Sequence, residues 1–95
     1  MTEREGLLAE AELLIRNQLG LHARACALFV KAAARFQSQV FVARDELEVN
    51  GKSIMGVMML AAAMGSIVRI KTEGSDEDKA LAAIAALFEN KFNED

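Results

Sequence analysis

The 95-residue sequence has no proline, tryptophan or tyrosine, and it holds one cysteine and one histidine. A single cysteine, Cys26, excludes an internal disulfide and a cysteine-based metal cluster. The N-terminal residues lack the basic and apolar regions of a signal peptide, and the longest apolar run, residues 54–65, is too short and too glycine-broken to cross a membrane. We therefore expect a cytoplasmic protein that does not insert into membranes and carries no metal or cofactor.

The length of the chain fits one globular domain and leaves no room for a second core. Hydrophobic residues make up 53% of the sequence, a proportion that disfavours disorder. Residues 1–10 are rich in glutamate and are predicted to be a poorly ordered N-terminal extension, with a short helix through Leu7 to Ala9 as the alternative. Residues 11–95 are predicted to form the folded domain.

Charge is distributed unevenly along a chain whose net charge is −3. From Leu13 to Arg44 there is no aspartate or glutamate, but there are five cations: Arg16, Arg24, Lys31, Arg35 and Arg44. No tryptophan or tyrosine accompanies these cations, so nucleic-acid binding is the weaker interpretation. A basic surface that docks acidic proteins fits better, because opposite charges speed encounter.

Hydrophobic periodicity predicts strands and helices in the order βαββαβα. Alternating apolar positions predict strands over residues 11–17, 40–44, 46–50 and 67–73. Apolar stripes at helical spacing predict helices over residues 23–36, from 53 to about 63, and from 75 to about 92. Ser53 and Ser75 are favoured N-cap residues for the second and third helices. The order predicts an α+β fold, an open-faced β-sandwich with a four-stranded antiparallel sheet and three helices on one face.

The only histidine, His22, lies where the first helix is predicted to begin. A helix N-terminus offers unpaired N–H groups and partial positive charge, and neutral imidazole is a good nucleophile. The guanidinium of Arg24 suits phosphate oxygens. A nucleophilic nitrogen, free amides and a fixed cation together predict a phosphoryl acceptor. The alternative is an ordinary cap or surface residue, which is the commoner situation for a lone histidine.

Two separated motifs favour the acceptor. The segment Gly20-Leu-His-Ala-Arg24, followed by Leu28-Phe-Val-Lys31, and the segment Val49-Asn-Gly-Lys-Ser-Ile-Met-Gly56 resemble the histidine-containing phosphocarrier (HPr) family of the bacterial sugar phosphotransferase system. The resemblance covers about residues 11 to 92 and implies the same HPr-like fold. It also implies a carrier rather than a stand-alone enzyme.

By this resemblance, His22 would accept a phosphoryl group on Nδ1 from enzyme I, which obtains it from phosphoenolpyruvate. It would pass the group to a IIA protein or domain of a sugar permease. The amides of Ala23 and Arg24, with the Arg24 side chain, would hold the phosphoryl oxygens. A monomer is expected.

The resemblance also assigns Ser53 to a position that an ATP-dependent HPr kinase/phosphorylase modifies in part of the family. The alternative is that Ser53 only caps a helix. Ile54, Met55 and Met58 are either core residues or an exposed apolar patch that binds partners, and the resemblance favours the patch. Leu28 and Lys31 complete the implied partner-binding set.

Two positions depart from the family pattern. Ala25 replaces the usual proline, which would stiffen the first helical turn. Leu19 stands where some members carry a small polar residue near the phosphate, so the backbone amides and Arg24 must contribute more. Two alternatives stay open: a regulatory paralogue of the nitrogen-related branch, and an interaction module that is never phosphorylated.

Overall fold

The computed structural model describes residues 8–94. Its elements are, in chain order, β1 (Ala9–Leu14), α1 (Ala23–Ala34), β2 (Gln39–Arg44), β3 (Leu47–Asn50), α2 (Ile54–Met59), β4 (Ile67–Glu73) and α3 (Glu77–Glu89), followed by a 3-10 turn over Lys91–Asn93. The strands form one antiparallel sheet in the order β1-β4-β2-β3. The predicted α+β fold and its βαββαβα order are confirmed.

The central strand β4 shows how the sequence divides the sheet into two faces. Val68, Ile70 and Thr72 are fully buried beneath the helices, whereas the residues between them face outward. This period-2 alternation is the pattern expected of a half-buried strand. The sheet therefore has one covered face and one open face.

The three helices meet the covered face of the sheet in a single core. Phe29 of α1, Val57 of α2, and Ile84 and Phe88 of α3 are all buried there. The Phe29 and Phe88 rings pack edge to face with their centroids 6.3 Å apart, a favourable geometry for aromatic pairs. This core holds α1, and with it the start of α1, in place.

The first strand is shifted toward the N-terminus relative to the predicted residues 11–17. Ala9 pairs with Thr72 and Leu14 with Ile67 on β4, so β1 ends before the loop that leads to α1. The alternative of a short helix through Leu7 to Ala9 is wrong for Ala9, which is strand, while Leu7 lies outside the described residues. The division into an extension over residues 1–10 and a domain over 11–95 stays a prediction.

All three helices end before their predicted ends at residues 36, 63 and 92. In α2 the cause is Ala61, whose φ of 48° turns the chain out of the helix. The Arg44 guanidinium then donates from Nη1 to the carbonyl oxygens of Leu60 and Ala61, at 3.0 and 3.2 Å. These bonds satisfy carbonyls that a helix C-terminus leaves unpaired.

The third helix begins later and ends earlier than predicted. Its N-cap residue is Asp76 rather than Ser75, and the Asp76 side chain turns away from the helix to bond residues 37 and 38. After α3 the chain turns left-handed: Lys91, Phe92 and Asn93 have φ values of 54°, 51° and 60°. We call residues 90–94 the C-terminal hook.

Candidate functional site

His22 is the N-cap residue of α1, with extended backbone angles of φ −78° and ψ 178°. Its side chain makes no capping hydrogen bond, and the first helical bond runs from the Cys26 N–H to the His22 carbonyl at 2.9 Å. The N–H groups of Ala23, Arg24 and Ala25 donate to no group within residues 8–94. The predicted position of His22 is confirmed, and three free donors point out of the helix start, where an anion can bind.

The loop that presents His22 is held by backbone bonds that only glycine permits. Gly20 has a φ of 68°, and a Cβ at this position would lie 2.6 Å from the Ala62 carbonyl oxygen. The next residue, Leu21, donates its N–H to that same oxygen at 2.8 Å. The turn after α2 therefore fixes the residue directly before His22.

A buried asparagine, which sequence reasoning missed, fixes the same loop from within. Asn17 is fully buried, and its Nδ2 donates to the Gly20 carbonyl at 2.7 Å. Its Oδ1 has no hydrogen-bond partner among the described residues. Its position in the sequence was the available signal. Asn17 continues the inward-facing series of Leu13 and Ile15, where a polar side chain costs free energy unless it is hydrogen-bonded.

The predicted cationic and apolar residues of α1 form one stripe that begins beside His22. Arg24, Leu28 and Lys31 follow at spacings of four and three, which places them on one helix face. Arg24 and Lys31 are exposed and Leu28 is half-buried. The Arg24 guanidinium makes no hydrogen bond or ion pair within residues 8–94, so it is available to an incoming anion.

The predicted apolar residues of α2 form an exposed patch rather than core. Ile54, Met55 and Met58 expose 42%, 73% and 45% of their surface, and Met59, which the sequence analysis did not single out, exposes 65%. These four residues are called the α2 patch below. Only Val57 of this helix is buried. Since α1 and α2 pack against each other, the patch and the α1 stripe lie on neighbouring helices.

Ser53 is the N-cap residue of α2, as predicted. Its Oγ accepts a hydrogen bond from the Gly56 N–H at 3.1 Å, so the capping role is observed. The residue is half-buried beside the α2 patch.

A carboxylate from the far end of the chain lies beside His22. Both oxygens of Glu94 accept from the Leu19 N–H, at 3.2 and 3.3 Å, and Oε2 is 3.7 Å from His22 Nε2. The histidine side chain is 31% exposed and that of Glu94 is 17% exposed. Sequence reasoning missed Glu94, because nothing local indicates that an acid near residue 95 returns to a basic segment.

Cys26 is a structural residue rather than a second nucleophile. It is fully buried, and its Sγ donates to the Leu21 carbonyl at 3.4 Å. Burial raises the pKa of the Cys26 thiol, which keeps it protonated at neutral pH.

Within residues 8–94, no three histidine, cysteine, aspartate or glutamate side chains come together in a way that could hold a metal ion. No helix in the same residues has the length and apolar character needed to span a membrane.

Comparison with known proteins decides the family. The protein-family model described as "PTS HPr component phosphorylation site" matches residues 9–90. The chain belongs to the HPr family. The phosphocarrier protein HPr of Xylella fastidiosa (strain 9a5c) is 50% identical over 88 residues, which are 93% of this chain and 99% of that relative. The resemblance inferred from the two motifs is confirmed: this is an HPr-type phosphocarrier of the phosphotransferase system, a carrier rather than an enzyme.

Solved structures of HPr-type proteins share the fold. HPr-C-His from Thermoanaerobacter tengcongensis has a TM-score of 0.88 at 46% identity and covers 92% of this chain and 98% of its own. Crh of Bacillus subtilis has a TM-score of 0.71 at 45% identity, over 81% of this chain and 88% of its own, and that protein is a dimer with a swapped domain.

Proposed function

We propose that His22 of this HPr-type carrier accepts a phosphoryl group from phosphorylated enzyme I and passes it to a IIA component of a sugar permease. The observation that supports this most strongly is the position of the imidazole. The ring lies at the start of α1 and makes no capping hydrogen bond, and the N–H groups next to it have no partner within residues 8–94. The site can therefore hold an anion at a nucleophilic nitrogen.

In the proposed reaction the Nδ1 lone pair of His22 attacks phosphorus. The N–P bond forms as the bond between phosphorus and the enzyme I donor atom breaks, and the electron pair of that bond stays with the donor. The amides at the start of α1 and the Arg24 guanidinium stabilise the charge on the phosphoryl oxygens. Transfer to the IIA component repeats this exchange, with His22 as the leaving group.

The α1 stripe and the α2 patch supply the proposed docking face for both partners. Arg24 and Lys31 are exposed cations, and the α2 patch adds a contiguous apolar area. Such a surface suits a partner with an apolar centre and an acidic rim, because the apolar centre is desolvated while the charges guide encounter. Leu28, Ile54, Met55 and Met58 are the proposed apolar contacts.

Ser53 is the proposed site of regulatory phosphorylation by an ATP-dependent HPr kinase/phosphorylase. Its hydroxyl caps α2 beside the α2 patch, so a phosphate there would add negative charge to the docking face. Phosphate oxygens can still accept from the Gly56 N–H, and we expect the fold to persist while acidic partners bind more weakly. Incubation with the kinase and ATP should label the natural protein, and Ser53→Ala should remove the label.

We propose that the carrier acts in the cytoplasm, where phosphoenolpyruvate is made, and that it is a monomer. Sedimentation at micromolar concentration tests the monomer directly. A dimer like that of Crh would contradict it.

The test of the central proposal is phosphoryl labelling. Incubation with phosphoenolpyruvate and enzyme I should give an acid-labile adduct on the natural protein and none on His22→Ala. Matching circular dichroism and melting temperatures would show that the variant is folded. A label that survives His22→Ala would show another acceptor, and no label on the natural protein would favour an interaction module. Onward transfer to a sugar IIA component, rather than only to a nitrogen-branch IIA protein, tests the sugar output.

A further inference from the structure

The C-terminal hook has a backbone conformation that residues with side chains adopt reluctantly. Lys91, Phe92 and Asn93 are three consecutive residues with positive φ. Such a run persists only where its surroundings enforce it. Here the Phe92 ring is 2% exposed and packs on the Phe88 ring with centroids 5.0 Å apart. The Glu94 N–H donates to the Lys91 carbonyl at 2.9 Å, which closes the turn.

The effect of the hook is to direct Glu94 toward the His22 loop. The carboxylate accepts from the Leu19 N–H through both oxygens, while Oε2 faces His22 Nε2 at 3.7 Å. Arg16 and Lys91 line the same shallow cavity as Glu94, but neither forms an ion pair with it. Among the described residues, His22 is the only ion-pair partner of this carboxylate.

We propose that Glu94 is a positioning residue for phosphoryl transfer, holding the ring proton of His22 on Nε2 so that the Nδ1 lone pair is free. A carboxylate can accept hydrogen bonds but cannot donate them when ionised. At 3.7 Å the negative carboxylate attracts a proton on Nε2 electrostatically, whereas a lone pair on Nε2 would face negative charge. In neutral imidazole a proton on one nitrogen leaves the other as the nucleophile. The inference rests on His22 being the phosphoryl acceptor.

The same contact assists the reaction itself. When Nδ1 forms its bond to phosphorus, the ring keeps its Nε2 proton and gains positive charge. That charge develops 3.7 Å from the Glu94 carboxylate, which stabilises it. No proton has to leave the ring, and on transfer to the next acceptor the electron pair of the N–P bond returns to Nδ1.

The decisive measurement is the protonation state of the two ring nitrogens, read from 15N NMR of protein labelled at its one histidine. At a pH where the ring is neutral, the natural protein should carry the proton on Nε2. Glu94→Ala should show an increased fraction of the Nδ1–H form. Glu94→Gln keeps an oxygen for the Leu19 N–H but loses the charge, so its spectrum should resemble that of Glu94→Ala. Glu89→Gln removes the same charge from an exposed position of α3 and should match the natural protein.

Phosphorylation by enzyme I gives the second readout. Both Glu94 variants should lose about two- to fivefold in kcat, the size expected for a partly exposed ion pair, with little change in KM because Glu94 lies outside the docking face. Glu89→Gln should keep the natural rate. Melting temperatures show whether each variant is folded.

Three outcomes would overturn the inference. Recovery of the natural ring signals and rate by Glu94→Gln would mean that Glu94 only ties down the loop at Leu19. Faster labelling of Glu94→Ala would mean that the carboxylate obstructs the anion site. Unchanged ring signals in Glu94→Ala would mean that it does not act on the imidazole. A natural protein that takes no label would instead refute the role of His22, while the NMR comparison would still report on Glu94.

Discussion

The carboxylate of Asp76 accepts hydrogen bonds from both the side-chain hydroxyl and the backbone N–H of Ser38, the latter at 2.9 Å. It also accepts from the Gln37 N–H at 3.0 Å. One carboxylate therefore joins the loop after α1 to the start of α3. These bonds favour the ionised form, and the hydroxyl of Ser38 contributes most to lowering the pKa of Asp76 below its usual range.

Asp76→Ala should lower the melting temperature at neutral pH, because three donors lose their acceptor. A carboxyl whose pKa is lower in the folded state contributes stability above its unfolded pKa of about 4 and loses it as pH falls further. The difference in melting temperature between the natural protein and the variant should therefore be largest at pH 6 to 7. It should shrink from about pH 4 downward. Asp78→Ala, at an exposed position in the first turn of α3, is the control. A difference that stays constant down to pH 3 would contradict the role of the ionised carboxylate.

Charge changes on the proposed docking face should weaken binding to enzyme I. Arg24→Glu, or Met55→Glu combined with Met58→Glu, should raise the Kd by about fivefold or more, because each change would place an acid opposite the acidic or apolar surface that we propose for the partner. Isothermal titration measures the effect. Glu89→Lys on α3 should leave the Kd nearly unchanged. Equal losses from all three variants would argue against one localised face.

Two glycines with positive φ offer a matched pair for testing the His22 loop. Gly65 has a φ of 92° and open space around a Cβ, whereas a Cβ at Gly20 would meet the Ala62 carbonyl at 2.6 Å. Gly65→Ala should cost about 1–2 kcal/mol of unfolding free energy through its backbone angle alone. Gly20→Ala should cost about 1–3 kcal/mol more, through steric overlap, and should slow phosphorylation of His22. Urea unfolding measures both, and equal costs would show that the overlap is relieved by a small shift.

The departure at Ala25 can be tested by restoring proline. The Ala25 N–H donates to no group within residues 8–94, so Ala25→Pro removes no bond seen in this part of the chain, and φ in the first helical turn suits proline. It should raise stability by about 0.4–1 kcal/mol and leave the transfer rate unchanged or higher. A slower transfer with higher stability would mean that this N–H binds the phosphoryl group. Lower stability would mean that the buried site of Ala25 cannot hold the ring.

Local patterns predicted the bounds of β2, β3 and β4 better than the ends of the helices. The alternation of β4 over Ile67–Glu73, followed by a turn at Gly74, is complete in the sequence, and the strand has those bounds. The end of α2 depends instead on Arg44 of β2 and on the left-handed turn at Ala61. Neither can be seen from the helical pattern, because α2 ends through contacts with distant residues.

Among the site residues, too, those placed by local sequence could be predicted and those placed by distant contacts could not. His22 and Arg24 could be placed at a helix start because the neighbouring residues determine where α1 begins. Asn17 was hidden because its role depends on burial, and Glu94 because Leu19 and Glu94 are separated by 75 positions in the chain. Long-range partners of this kind require the three-dimensional structure.

Two hydrogen bonds that N–H groups of the His22 loop donate to later residues have a consequence for synthesis. Leu21 is bonded to Ala62 and Leu19 to Glu94, and both partners follow His22 in the chain. During translation His22 leaves the ribosome before Ala62 and Glu94. In the nascent chain the His22 loop therefore lacks both of these hydrogen bonds. We expect the growing polypeptide to be a poor substrate for enzyme I until Glu94 has left the ribosome. The appearance of phosphohistidine would then report that the chain has been made through Glu94 and that the His22 loop is held in place.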